Sequence, residues 1–469
     1  MRQSQPSLLS FVKVSAVWLI LFYLRFFAKL ALAIHKPKTI GIAGSIGKSS
    51  TRNAVATILG HVYPIRVIET NSETGLPLGI LGIKPHDYSP LDWVSMILRA
   101  PLGVNHISQT KYLVIEMGID DPYPPKNMEY LLTIVQPDIG IITYESAAHT
   151  MQFAKVLEEK EFPNDKNRHQ ALVDAITQED LKLLTNPKCT IGIINADNPP
   201  LTKAAASLGK SSLKLYTFGK SKESTIQAAG YEATTSGTEF SFALPNNRSV
   251  TLSFKRYCLP EEYQGTFGAS LLLADILEVT PETAKRVLEK NFHPPKGRAS
   301  IFEGVKGTTI LDSSYNASRP TVLSFFNLLG ILKKQTKRPT VAILADMLEL
   351  GLQEKLEHEE VAKSIPGAAD FVYLVGPLTK QYILPILKKD KRVKEAMWFA
   401  SAQALNDHLL KSLPDGTIVL VKGSQGQLWL EESIKLILKN KEDVKYLCRQ
   451  DAFWQKVKKK AGRWIEVSN

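Results

Sequence analysis

Read for apolar and polar positions, the chain alternates strands and helices from residue 38 onward. The runs "KTIGIA", "KYLVIEMG", "DIGIITY" and "CTIGIIN" are short and almost wholly apolar, the pattern of parallel strands buried on both faces. After the first of them, Val55, Ile58 and Leu59 fall at helical spacing and predict a helix closed by Gly60. From about residue 212 to 257 the pattern shortens. "KLYTFG", "EFSFAL" and "VTLSF" are separated by turn residues and predict a small antiparallel sheet. "FGASLLLADILEV" predicts a helix, and "TPETAKRVLEKNF" another, with Thr280 as N-cap and Pro281 as first helical residue. "HPPKGR" at 293–298 reads as a linker. Beyond it "TTILDSS", "PTVAILAD", "FVYLVG" and "TIVLVKG" predict strands with helices between them, a second doubly wound α/β domain.

The N-terminus breaks this pattern. Residues 8–34 are almost wholly apolar, interrupted by Lys13, Arg25 and Lys29. The longest uncharged run, Val14 to Leu24, is shorter than the roughly 20 residues of a clean membrane span. Because cations near the ends can snorkel, both a tilted span and an interfacial helix fit, with a buried core helix as the competing reading. At 454–464, "WQKVKKKAGRW" sets cations between two tryptophans, a composition suited to an anionic headgroup layer or to a frayed basic tail.

Composition narrows the class. With 469 residues, 44% of them hydrophobic, the chain can bury large cores and hold two or three domains. Its three cysteines (Cys189, Cys258, Cys448) form no C-x-x-C pair, which argues against a disulfide framework or zinc site. A net charge of +12 suits an anionic partner: a nucleotide, a phosphorylated substrate or a lipid surface. The basic residues are scattered rather than banded and no nucleic-acid motif is present, so no nucleic-acid partner is expected.

The candidate chemistry starts at "GIAGSIGKSS", residues 41–50. A strand, a glycine loop, a lysine, a hydroxyl and a helix make a phosphate cradle. Glycines let backbone N–H groups approach phosphate oxygens, and the helix N-terminus adds its positive end. Gly44, Ser45, Gly47 and Ser50 would line the cradle, Lys48 would reach the outer phosphates, and the Ser49 hydroxyl would ligate Mg²⁺. Ile42 occupies the first glycine position of the usual pattern. Glu116 ends a buried strand and His149 lies just past the next one, at the sheet edge where open α/β sheets hold ligands; a carboxylate and an imidazole there could complete a metal shell.

These stretches, with "NSETGLPLGIL", "SAAHT", "IINADNP", "PPKGR", "LDSSYNAS", "ILADMLELG" and "LVKGSQG", resemble the Mur ligase family from about residue 38 to 440. Within it they are most similar to the branch that adds D-alanyl-D-alanine to a UDP-muramoyl tripeptide. The resemblance implies a central ATP-binding P-loop domain at 38–296, with a parallel sheet and a small antiparallel one. A Rossmann-like C-terminal α/β domain at 297–445 and a basic tail at 446–469 would follow. It implies an ATP- and Mg²⁺-dependent amide ligase working through an acyl phosphate. A muramoyl-peptide-like acceptor and an amino acid or dipeptide amine would be its substrates. Carried over by position, Lys48, Glu116 and His149 are catalytic, and Ser49, Glu116 and His149 hold metal. Asn71, Glu73, Gly75 and Asn316 line the substrate side, while Arg298, Asp312 and Tyr315 reach the nucleotide as the second domain closes.

Four departures accompany the resemblance, one of them Asp312 followed by Ser313 where the family has two aspartates. "PEEYQGTF" stands where the family has an adenine-side asparagine. Gln178 aligns with the family's metal-bridging carbamylated lysine, with Lys160 or Lys166 as substitutes. The hydrophobic segment 1–37 takes the place of an N-terminal UDP-binding domain. The expectation is a cytoplasmic ligase associated with the inner face of the membrane. The competing reading is a catalytically weak nucleotide-binding scaffold in cell-wall assembly.

Overall fold

The computed structural model describes residues 8–146, 150–157, 161–209, 211–423 and 428–460. The chain forms two compact units. One holds residues 1–228, 242–250 and 265–292, and the other residues 229–241, 251–264 and 293–469.

In the first unit, β1 (Lys38–Ala43), β2 (Ile65–Ile68), β3 (Tyr112–Glu116), β4 (Ile139–Ile142), β5 (Ile191–Asn195) and β6 (Lys214–Gly219) lie in the order β2-β3-β1-β4-β5-β6. Every pairing among them is parallel. That explains their continuous apolar runs, since strands covered by helices on both faces have no solvent side to keep polar. "KLYTFG" therefore does not join an antiparallel sheet as expected. The helix between β5 and β6 (Pro199–Ala206) supplies a crossover, and a crossover connection returns the chain parallel. The sheet order continues through β7 (Ile226–Thr234), β8 (Gly237–Leu244) and β9 (Arg248–Lys255). Their two- and three-residue connections make successive strands antiparallel. The sequence pattern missed β7, whose small and polar residues show no period-two alternation of burial.

Helix α1 (Leu8–His35) precedes β1, and α2 (Lys48–Val62) follows the glycine loop. Gly60 does not close α2. The helix runs on to Val62 and ends at Tyr63, which is extended and donates its N–H to Leu59 O. The cause is Pro64, which disfavours helical backbone at the residue before it. After β2 come α3 (Gly75–Ile80) and α4 (Pro90–Arg99), and after β3 comes α5 (Met128–Ile134). Two further helices, α6 (Thr150–Phe153) and α7 (Asp165–Thr185), separate β4 from β5. Thr280 caps its helix by accepting from Thr283 N, with Pro281 in the first turn, as the sequence predicts.

One face of α1 is part of the first unit's core. Leu21, Leu24, Ala28 and Ala31 are buried in one cluster with Leu113 and Ile115 of β3. The described part of α1 therefore combines the core-helix reading with an outward face that stays apolar.

The second unit carries β10 (Ser300–Glu303), β11 (Thr309–Ser313), β12 (Thr340–Ala345), β13 (Phe371–Val375), β14 (Glu395–Phe399) and β15 (Ile418–Lys422). Their order is β10-β11-β15-β12-β13-β14, with β10 antiparallel to β11 and the other pairings parallel. Within the described part of the basic tail, residues 452–460 form a helix, but Lys458 is buried against Glu431 and Glu432. That lysine serves the fold and is not available to a headgroup layer.

Candidate functional site

The glycine loop folds as the cradle the sequence predicts. Gly44 has φ +121° and Gly47 φ +90°, the left-handed backbone that a side chain disfavours. A Cβ on Gly44 would also come within 2.4 Å of Thr143 Oγ1. The loop is pinned to the end of β4: Ser45 N and Ile46 N donate to Tyr144 O at 2.8 and 3.2 Å, and Thr143 Oγ1 donates to Ile46 O at 2.6 Å. Lys48 opens α2 and turns its Nζ back onto Gly44 O inside the loop. Ser50 is buried in the same first turn.

The register of β1 and β3 pairs Ile42 with Glu116, so the carboxylate ends its strand beside the cradle. Ser49 Oγ donates to Glu116 Oε1 at 3.1 Å, and Asn71 Nδ2 lies 3.4 Å from the same oxygen. Arg52, one helical turn beyond Lys48, donates Nη1–H to Glu116 Oε2 at 3.0 Å, and both residues are buried. Asn71 lies close against Gly118, where a Cβ would meet its Nδ2 at 2.6 Å. Gly75 starts α3 and donates its N–H to Ser72 Oγ at 3.0 Å, while Glu73 is half-buried in the same turn. Lys48, Ser49, Glu116 and Asn71 are thus brought together. His149 and Lys160 lie outside the described residues.

The donor set fits Mg²⁺. A hydroxyl and a carboxylate are hard oxygen ligands, and Mg²⁺ at phosphate sites is held by one or two such groups with phosphate oxygens and waters supplying the rest. Among the described residues no group of three or more His, Cys, Asp and Glu side chains is arranged to hold an ion without them.

A second acidic feature lies on the other side of the loop. Ser45 Oγ donates to Glu145 Oε2 at 3.0 Å, while Glu145 Oε1 and Asp180 Oδ1, on two buried and electrostatically coupled acids, have no hydrogen-bond partner among the described residues. Burial raises both pKa values, Asp180 far more strongly, and the Lys48 ammonium opposes the rise only in part. Two buried carboxyls this strongly coupled do not both ionise in the ordinary carboxylate range, so the pair retains a proton there. Gln178, aligned with the family's bridging lysine, is exposed on α7, as is Lys166. The acid that α7 turns toward the cradle is Asp180. No sequence signal marked this pair, because its members lie on different elements.

In the second unit Arg298, Asp312, Tyr315 and Asn316 are also gathered. Arg298 and Arg449 flank Tyr315, at 5.1 and 5.3 Å from its ring centroid. Asp312, fully buried on β11, accepts from Ser314 N and Ser314 Oγ at 2.9 and 2.6 Å, and burial pushes its pKa up to about 6. Lys422, from the "LVKGSQG" stretch, donates to Asn316 O. Burial, with Arg298 nearby, brings its pKa down to about 7. Arg449 forms a bidentate pair with Glu431, both distances 2.9 Å, and donates Nη2–H to Ser314 O at 3.0 Å. Sequence reasoning quoted the stretch containing Lys422 without assigning the lysine, and gave no sign of Arg449.

Residues 297–425 match the family model "Mur ligase, glutamate ligase domain". Over most of its length the chain is similar to curated UDP-N-acetylmuramoyl-tripeptide–D-alanyl-D-alanine ligases. The Rickettsia prowazekii protein is 26% identical over 83% of this chain and 76% of its own. The Bacillus subtilis protein is 22% identical over 88% and 78%. Among solved structures, the MurF ligase of Thermotoga maritima in complex with ADP superposes with a TM-score of 0.68 at 20% identity, covering 91% of this chain and 84% of that one.

Proposed function

We infer that this chain, whose residues 297–425 match a Mur ligase domain and which is similar over most of its length to curated D-alanyl-D-alanine-adding ligases, is an ATP-dependent, ADP-forming carboxylate–amine ligase of peptidoglycan precursor synthesis. What supports the reading most is the join between cradle and carboxylate: Lys48 and Ser49 open one helix, and Glu116 meets Ser49 from the adjacent strand.

The reaction that suits these residues has two steps. A carboxylate of a muramoyl-peptide-like acceptor attacks the γ-phosphorus of ATP, giving an acyl phosphate and ADP. The amine of an amino acid or dipeptide, D-alanyl-D-alanine in the curated relatives' names, then attacks the acyl carbon, and phosphate leaves. Negative charge gathers in both steps, so cations and positioned N–H groups matter more than a protein nucleophile. Lys48 and the loop N–H groups hold the outer phosphates. Ser49 and Glu116, with His149 as the resemblance implies, would hold Mg²⁺, which would supply charge neutralisation at the phosphates. Asn71, Glu73, Gly75 and Asn316 orient the acceptor, and Arg298, Asp312 and Tyr315 contact the nucleotide. The enzyme works at the inner face of an anionic membrane, held there by α1.

The exposed Gln178 at the bridging-lysine position favours a second reading, a nucleotide-binding scaffold with little turnover. One assay separates the two. The ligase releases ADP when supplied with ATP, Mg²⁺, UDP-muramoyl tripeptide and D-alanyl-D-alanine, and releases far less when either acceptor or amine is withheld. ATP binding without acceptor-dependent ADP release overturns the ligase reading and leaves the scaffold.

A further inference from the structure

Helix α1 is apolar on its inward side and along much of its outward side, and only the inward side is covered. Its inward residues Leu21, Leu24, Ala28 and Ala31 are fixed in the core, so lipid cannot surround the helix as it would a span. Its outward residues Leu19, Phe22, Phe26 and Leu30 recur at intervals of three, four and four, and Leu19 and Phe26 are 69% and 54% exposed. Helix α4 lies against it, with Tyr23 Oη donating to Ile97 O at 3.2 Å. The α4 segment repeats the spacing: Leu91, Val94, Leu98 and then Leu102 all face outward, Leu91 82% and Leu98 69% exposed. Two neighbouring helices thus each leave a complete apolar stripe uncovered, on a scale soluble surfaces do not normally expose.

Cations outnumber acids around the stripes. Residues 1–68 contain nine Lys and Arg and no Asp or Glu. On the two helices and their flanks, Lys29, Lys36, Lys84 and Arg99 are exposed. Of the two acids beside α4, Asp92 is taken up by the N–H groups of His86, Asp87 and Tyr88, and Asp87 by Ser89 N.

We propose that α1 and α4 together form a monotopic docking face for an anionic lipid surface, the apolar stripes entering the acyl boundary and the cations meeting the headgroups. This rests on the membrane-associated reading above and adds a second helix and an in-plane attachment to it. The segment that carries α4 would then set the face of the first unit turned toward lipid.

The test is sedimentation of the full chain with vesicles of equal parts phosphatidylglycerol and phosphatidylcholine, and with phosphatidylcholine alone. The expected result is strong binding to the anionic vesicles, weakened at least about tenfold by Phe22→Glu with Phe26→Glu and equally by Leu91→Glu with Leu98→Glu. Melting temperature and ADP release in solution stay unchanged in both variants. If only the α1 variant loses binding, the two-helix face is overturned while membrane association stands. If phosphatidylcholine alone binds as well, the anionic specificity is overturned. If the intact chain stays in the supernatant, whether as a monomer or as a dimer that either variant dissociates, both the docking face and membrane association fall.

Discussion

Ser49 Oγ reaches Glu116 Oε1 at 3.1 Å, joining the first turn after the glycine loop to the carboxyl end of the neighbouring strand. Ser49 stands next to Lys48, so one backbone step separates the group assigned to the outer phosphates from the group assigned to the metal. A displacement of α2 would move both at once.

Lys48→Ala should therefore lower acceptor-dependent ADP release by at least about 100-fold, roughly 3 kcal/mol of transition-state stabilisation. Its melting curve should match the intact protein, because the lysine's own contact is a loop carbonyl. Near-normal turnover in a folded variant would remove the loop from the mechanism.

Glu116 is expected to show itself through Mg²⁺. Glu116→Gln keeps a hydrogen-bond acceptor but loses the charge, so the Mg²⁺ needed for half-maximal rate should rise at least about tenfold. Arg52→Ala tests the other oxygen. It leaves the buried carboxylate without its counter-charge and should cost about 3 kcal/mol in urea unfolding. A Mg²⁺ titration unaffected by Glu116→Gln would assign that carboxylate to structure alone.

Most strands of both units were legible because strands covered on two faces are apolar throughout, but β2, β7, β10 and β14, short or mixed in polarity, were not. The cradle was legible because glycines at φ +121° and +90° have few substitutes. Glu116 could be read from its place at a strand end. Glu145 with Asp180, and Glu431 with Arg449, could not. Each pair is made by elements that meet only after the sheet is ordered, and a lone acid in a helix looks like solvated surface. The β6 error has the same origin, since strand direction is decided by the connection and not by the strand's own residues. The apolar stripe of α4 is short and was hidden beside the louder signal of α1.

The Glu145–Asp180 pair should make stability fall with rising pH. Burial raises both pKa values, so the folded chain holds a proton that the unfolded chain releases above the ordinary carboxylate range. In Asp180→Asn an amide donates to Glu145 without needing that proton. Relative to the intact protein, its Tm should gain about 2–4 °C between pH 5 and pH 8. A constant difference across that range would show that the pair does not retain a proton.

Asp312 and Lys422 give slopes in separate windows. Asp312 rises from 3.8 unfolded to about 6 folded, so its contribution is complete below the unfolded value and is lost as pH climbs through about 6. Lys422 falls from 10.5 to about 7, so its contribution is complete above the unfolded value and is lost as pH drops through about 7. Asp312→Asn should flatten the first slope and Lys422→Met the second, read from urea midpoints across a pH series. A Lys422→Met profile parallel to the intact protein between pH 7 and 10 would mean that the amine is charged in the fold.

The second unit's sheet places β15, residues 418–422, between β11 and β12, which end at residues 313 and 345, well before it is made. Glu431 then waits for Arg449 and Lys458. As the ribosome delivers the chain, β11 and β12 stand apart with a gap the width of a strand, and Glu431, once made, has no counter-charge. The first unit's parallel strands are complete by residue 219, so it can begin to order while the second is still being made. For the interval between residues 345 and 422 the nascent protein carries an open sheet with two unsatisfied strand edges. That is the stretch of synthesis in which a chaperone has the most to do, and in which a stalled chain would be most prone to aggregate.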